Sequence, residues 1–216
     1  LRRRHFIAGL YIPWAAGPSW SQTSAAPGAS RQPKILVLGD SLSAEYGLRR
    51  GTGWVSLLEQ RLSEHKISAQ VRNASISGDT TSGGRARLPA LLRSVQPSHV
   101  LLELGGNDAL RGLPLKNSAD NLAAMVQASQ AVGAKVLLIG MQMPPNYGAD
   151  YGRQFATLFA DVARAHKANL VPFLLKGVAD APNAASLFQA DRIHPREEAQ
   201  PIMLDNVWPE LRKLLV

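Results

Sequence analysis

KILVLGDSLSAEYG, residues 34–47, joins an uninterrupted apolar run to a Gly-Asp-Ser turn. Apolar residues without polar alternation suit a strand covered on both faces, the condition of a parallel sheet between helical layers. Gly39, Asp40 and Ser41 then end the strand and send the chain into a loop. The pattern recurs: short apolar runs at 69–71, 99–104, 135–139 and 169–173 read as further strands. Between them, Trp54, Leu57, Leu58 and Leu62, and again Phe155, Leu158, Phe159 and Val162, recur three and four apart, as the buried stripe of an amphipathic helix does. A last helix carries Ile202, Val207, Trp208 and Leu211, with Pro209 expected to kink or restart it. Strand and helix in alternation predict an α/β protein, one three-layer α/β/α sandwich on a parallel sheet over residues 30–216. Ligands of such sheets bind at the carboxyl ends of the strands, here the loops opening at Gly39, Asn73, Gly105 and Gly140 and the segment after the fifth strand.

A chain of 216 residues, 45% of them apolar, can bury one substantial core. It has no cysteine, which excludes disulfides, thiolate nucleophiles and thiolate zinc sites. Residues 1–29 combine Arg2, Arg3 and Arg4 with an apolar run at 6–16 and the small residues Ser24, Ala25 and Ala26, the layout of an export signal. Arg3-Arg4-His5-Phe6-Ile7 also suits the twin-arginine route, so export by either that route or Sec is expected. The apolar run is well short of the roughly 20 residues that cross a hydrocarbon core. No stable membrane anchor is expected, and the mature protein is placed in the periplasm or outside the cell. Net charge is +8, but beyond the leader 21 basic residues face 16 acidic ones, a mild excess. No basic run lies beside an aromatic cluster, which argues against a nucleic-acid partner.

Four segments at the strand ends carry unusual polar content: GDSLS at 39–43, NASISGDTT at 73–81, GGNDALRG at 105–112 and DRIHP at 191–195. Each alone is a weak signal that reads more readily as a structural turn. Jointly they supply what acyl transfer needs: a nucleophile, a base, an acid that fixes the base's tautomer, and donors for an oxyanion. Ser41 can be the nucleophile, with its own N–H left free at the end of the first strand. Gly78 offers a second backbone N–H without a Cβ to obstruct substrate, and the Asn107 side chain offers a third donor. Among five histidines, His5 is in the leader, His65 and His166 sit in polar helix ends, and His99 opens a strand. His194 follows Asp191 by three residues, a spacing that lets the carboxylate hold Nδ1–H and leaves Nε2 outward as a general base.

These four blocks, in this order, resemble the SGNH or GDSL hydrolase family over about residues 34–215. The strings NASISGDTT, ARLPALL, LELGGNDALRG and AQPI are further similar to its bacterial branch of acyl-CoA thioesterases, lysophospholipases and arylesterases. The resemblance implies a flavodoxin-like fold with a five-stranded parallel sheet. It also implies a Ser41-His194-Asp191 triad, and an oxyanion hole of Ser41, Gly78 and Asn107. Two positions depart from the family pattern: Glu45, where a small residue is common, and Arg192, where glycine is common. Both are expected to bear on substrate preference or on the Asp-His turn.

A small acyl ester or thioester is the expected substrate, and no metal or cofactor is needed. Leu110, Met143, Pro144 and Tyr147 supply apolar surface beside the strand ends and are the expected acyl-binding residues. Leu113 and Met141 could add to it, and methionine adapts to varied chain lengths. A carbohydrate deacetylase of the same chemistry would show an open polar cleft instead. A non-catalytic phosphate-binding module is opposed by the lack of G-x-G-x-x-G and Walker sequences. A monomer or small homo-oligomer is expected.

Overall fold

The computed structural model describes residues 32–215, so the export signal expected at 1–29 lies outside the described residues. Five strands, β1 (Lys34–Gly39), β2 (Gln70–Asn73), β3 (His99–Glu103), β4 (Lys135–Ile139) and β5 (Asn169–Val171), form one parallel sheet in the order β2-β1-β3-β4-β5. This is the flavodoxin-like order, with its switch point between β1 and β3. Helix α1 (Trp54–Glu64) follows β1, and α2 (Thr81–Val95) follows β2. The short α3 (Gly106–Leu110) and then α4 (Leu115–Ala131) follow β3. Helix α5 (Ala149–Ala165) follows β4, while the short α6 (Ala184–Leu187) and α7 (Gln200–Leu215) close the chain. Right-handed crossovers put α1 and α7 together on one face and α2, α4 and α5 on the other.

The central strands explain the apolar runs: Ile35, Leu36, Val37, Leu38, Val100, Leu101 and Leu102 are all fully buried between the helical layers. At the sheet edge β2 is mostly exposed, and only Val71 of its residues is apolar. Its extent is set by pairing, from Lys34 beside Gln70 to Val37 beside Asn73, so it begins and ends later than its hydrophobicity suggests. Strand β5 stops at Val171, before Pro172, whose carbonyl lies so close to Gly140 that a Cβ there would come within 2.5 Å of it. Helix α7 runs through Pro209 without a restart, because Val207, Trp208 and Leu211 are buried on both sides of the proline. Among the described residues no helix is long and apolar enough to cross a membrane.

Candidate active site

Ser41 opens the turn that follows β1. The Ser43 and Ala44 N–H groups donate to the Asp40 carbonyl at 3.2 and 3.0 Å and close that turn. Asp40 is buried beneath it. Its Oδ1 accepts the Leu42 N–H at 3.0 Å and its Oδ2 accepts the Asn107 amide at 3.0 Å. Deeper still, Glu103 at the end of β3 is 0% exposed. Its Oε2 accepts the Ser43 hydroxyl at 2.7 Å and the Asp40 N–H at 3.3 Å, while Oε1 has no partner. A Cβ on residue 39 would lie 2.7 Å from that Oε2, which accounts for Gly39. Burial pushes both carboxyls up: Asp40 to about 6, against the pull of its Leu42 and Asn107 donors, and Glu103 well above the carboxylate range, with the charge of Asp40 adding to the effect. Protons that come off this pair therefore belong to both residues and not to either alone.

His194 comes from the loop after β5. Its Nε2 lies 2.9 Å from the Ser41 hydroxyl and its Nδ1 lies 2.7 Å from Asp191 Oδ2. Asp191 Oδ1 accepts the N–H groups of Ile193 and His194 at 2.9 and 3.0 Å. Partial burial opposes ionisation of Asp191, but these donors and the imidazole outweigh it and bring its pKa down to about 2. An ionised Asp191 fixes the tautomer with hydrogen on Nδ1, leaving Nε2 to accept from Ser41. The segment is shaped by a short antiparallel bridge between Phe188 and Pro195, with the Gln189 N–H on the His194 carbonyl at 2.8 Å. Arg192 sits at its tip with φ +58°, the left-handed conformation that explains why glycine suits this position.

The three expected oxyanion donors lie in the segments that follow β1, β2 and β3. Among the described residues, neither the Ser41 nor the Gly78 N–H donates to another protein group. Gly78 has φ +79°, and its carbonyl accepts the Arg111 guanidinium at 2.9 Å, which ties the β2 loop to the β3 loop. The Asn107 amide spends one hydrogen on Asp40 and keeps a second. Asn73 pins the same assembly: its amide donates to the Ser43 carbonyl at 2.7 Å. The Ser41, His194 and Asp191 side chains form one hydrogen-bonded series. Such a series can move a proton off a hydroxyl as it attacks a carbonyl.

A cavity of about 470 Å³ adjoins this centre, with Gly106, Leu110, Met143, Pro144, Phe155 and Ile193 in its wall. Leu110, Met143 and Pro144 are where they were expected. Tyr147 is not in that wall; it stands 39% exposed at the short helical turn before α5. Met141, Phe173 and Phe188 enlarge the apolar lining. A broader groove of about 570 Å³ near Lys34, Gln70 and Arg72 lies at the amino ends of the strands, remote from every one of these loops.

Glu45, expected to influence substrate preference, turns away from the pocket. Its carboxylate accepts the Gly53 N–H at 2.9 Å, the Ser56 hydroxyl at 2.8 Å and the Gly51 N–H at 3.0 Å. Burial would raise its pKa, but these donors hold it below the usual value. It caps α1 from outside, since the N-cap residue Gly53 has no side chain to do so. The sequence does not single out Asp40, Glu103, Tyr46 or Gln189. For Asp40 and Glu103 the available signal is an acid directly at the end of an apolar run, where only burial with a partner is tolerable.

The comparisons with known proteins cover the same ground. Residues 37–201 match the model of the GDSL-like Lipase/Acylhydrolase family. "Esterase TesA" of Pseudomonas aeruginosa is 51% identical over 181 residues, covering 84% of this chain and 89% of that protein. "Arylesterase" of Vibrio mimicus is 44% identical, covering 89% and 94%. "Thioesterase 1/protease 1/lysophospholipase L1" of Escherichia coli K12 is 39% identical, covering 84% of each. A crystal structure of TesA superposes with a TM-score of 0.81 over 84% of this chain and 99% of that one. Residues 37–201 contain the end of β1, the four other strands and the loops that bring Ser41, His194 and Asp191 together, and with identities this high over so much of its length, the chain belongs to the GDSL-like lipase/acylhydrolase family of SGNH hydrolases.

Proposed function

We propose that this protein is a serine esterase that hydrolyses acyl esters and thioesters through an acyl-enzyme on Ser41. The observation that carries the reading is the series Ser41 Oγ, His194 Nε2 at 2.9 Å, and His194 Nδ1 to Asp191 at 2.7 Å. His194 takes the proton as Ser41 attacks the acyl carbonyl, and Asp191 stabilises the imidazolium. The Ser41 and Gly78 N–H groups and the Asn107 amide receive the oxyanion. Collapse releases an alcohol or thiol that carries away the proton from His194, and water, activated by the same imidazole, then frees the acid. The acyl chain occupies the apolar cavity beside Leu110, Met143 and Pro144, a lining that suits an aliphatic or aryl acyl group better than a sugar. The leader pattern at 1–29 supports export, so the activity belongs to the periplasm or the exterior.

Ser41→Ala, assayed on a chromogenic acyl ester, is expected to lose activity by several orders of magnitude; retention of more than a tenth of the parent rate refutes the assignment. A panel of acyl-CoA, lysophospholipid, aryl ester and acetylated sugar ranks the leaving groups. Preference for the sugar would favour the deacetylase reading.

A further inference from the structure

Ser41 and His194 stand 153 residues apart, one after a central strand and the other after an edge strand, yet they meet at 2.9 Å. Something must hold the two loops in register. We infer that Gln189 and Tyr46 form a clamp that positions His194 against Ser41, an inference that rests on the hydrolase reading above.

The Gln189 side chain lies between the two loops. Its Nε2 donates to the Tyr46 carbonyl at 2.9 Å on the serine side and to the Pro195 carbonyl at 3.3 Å on the histidine side. Its own N–H donates to the His194 carbonyl at 2.8 Å, and its carbonyl accepts the Arg192 N–H at 3.0 Å. One residue therefore touches the chain on both flanks of the imidazole and the chain five residues beyond the serine. Gly47 makes room for it. A Cβ at Gly47 would fall 2.1 Å from Gln189 Oε1, and φ there is +69°. A further tie, from the Arg49 N–H and guanidinium to Glu197 at 3.1 and 3.0 Å, is exposed to solvent and contributes little.

The carbonyl that Gln189 holds belongs to Tyr46, whose ring lies against the imidazole with centroids 4.3 Å apart and planes tilted by 39°. Asp191 and Ser41 fix the imidazole within its plane, while Tyr46 fixes it from one face. The contact also has an electrostatic sense. As Ser41 gives up its proton the imidazole becomes a cation, and the negative face of an aromatic ring attracts a cation more than a neutral ring. Tyr46 thus favours the transition state over the resting enzyme, and a group that acts this way raises kcat rather than lowering KM. The phenol hydroxyl is not needed for either effect.

The test compares kcat and KM of the full chain on a soluble chromogenic ester for Tyr46→Phe, Tyr46→Leu, Gln189→Ala and Gln189→Glu, with Ser41→Ala as the blank and melting temperature measured alongside. Tyr46→Phe is expected within twofold of the parent. Tyr46→Leu keeps apolar cover but no π face, and should lose about 3- to 30-fold in kcat with KM within twofold. Gln189→Ala should lose at least as much, and Gln189→Glu, which cannot donate to the Tyr46 carbonyl, should not restore it. Equal losses in the Phe and Leu variants, losses confined to KM, or kcat within twofold of the parent for both Tyr46→Leu and Gln189→Ala would overturn the clamp. A parent no more active than Ser41→Ala would overturn the hydrolase reading and the clamp with it.

Discussion

Replacing Glu103 by glutamine should change how stability depends on pH while leaving the nucleophile turn intact. The carboxyl is fully buried, accepts the Ser43 hydroxyl and the Asp40 N–H on one oxygen, and shares its surroundings with a second buried acid. Its folded pKa lies well above the ordinary 4.5, so above that pH the native state keeps a proton that the unfolded chain has released. Unfolding then releases a proton, and stability falls as pH rises through the window, until the folded group itself ionises. One proton corresponds to about 1.4 kcal/mol per pH unit. Asp40 titrates near 6, so over the two units from pH 6 to 8 the contribution of Glu103 amounts to at most about 2.7 kcal/mol. Glutamine is neutral throughout and still offers an oxygen to Ser43 and Asp40. Urea unfolding followed by tryptophan fluorescence at pH 6, 7 and 8 would measure the difference between variant and parent, in which titrations of groups remote from this pair cancel. That difference should grow in favour of the variant by up to about 2.7 kcal/mol across the range. A difference constant to within about 0.5 kcal/mol would mean that Glu103 is already ionised at pH 6 in the folded protein, and its raised pKa would be refuted.

Glu103→Leu removes the acceptor from two buried donors and should cost about 2–6 kcal/mol by the same urea measurement, against a far smaller change for glutamine. Glu45→Ala strips α1 of its external cap and should lower stability by about 1 kcal/mol, with acyl-chain preference in the esterase assay unchanged. Arg192→Gly relieves a left-handed residue at the tip of the Asp191–His194 turn; thermal unfolding should show a gain of up to about 1 kcal/mol with esterase activity retained. Asn107→Ala should reduce kcat by roughly 10² to 10³ through loss of an oxyanion donor, read from steady-state hydrolysis.

The fold was legible because burial on both faces leaves a one-dimensional trace: β1, β3 and β4 are apolar runs, and no partner need be known to see them. The edge strand β2 left almost none, since Gln70, Arg72 and Asn73 are defined by what they pair with and not by hydrophobicity. The same division runs through the site. Ser41, Asn107 and His194 carry functional groups whose chemistry is visible in the residue type, and His194 could be separated from four other histidines by its neighbour Asp191. Glu45 and Arg192 were conspicuous for departing from the family pattern, yet position told little about role. The carboxylate of Glu45 is consumed by Gly51, Gly53 and Ser56, while Arg192 shows its peculiarity in a backbone angle. Gln189 and Tyr46 were silent for a further reason. A glutamine amide bonded to a carbonyl more than a hundred residues away has no local signature, because any donor of that length in any loop would read the same. What makes such residues matter is the 2.9 Å between a hydroxyl and an imidazole brought from a central and an edge strand, and a tolerance that tight must be enforced by contacts between loops. Residues that perform chemistry can therefore be named from their type, whereas residues that hold them in place become visible only once the loops are assembled.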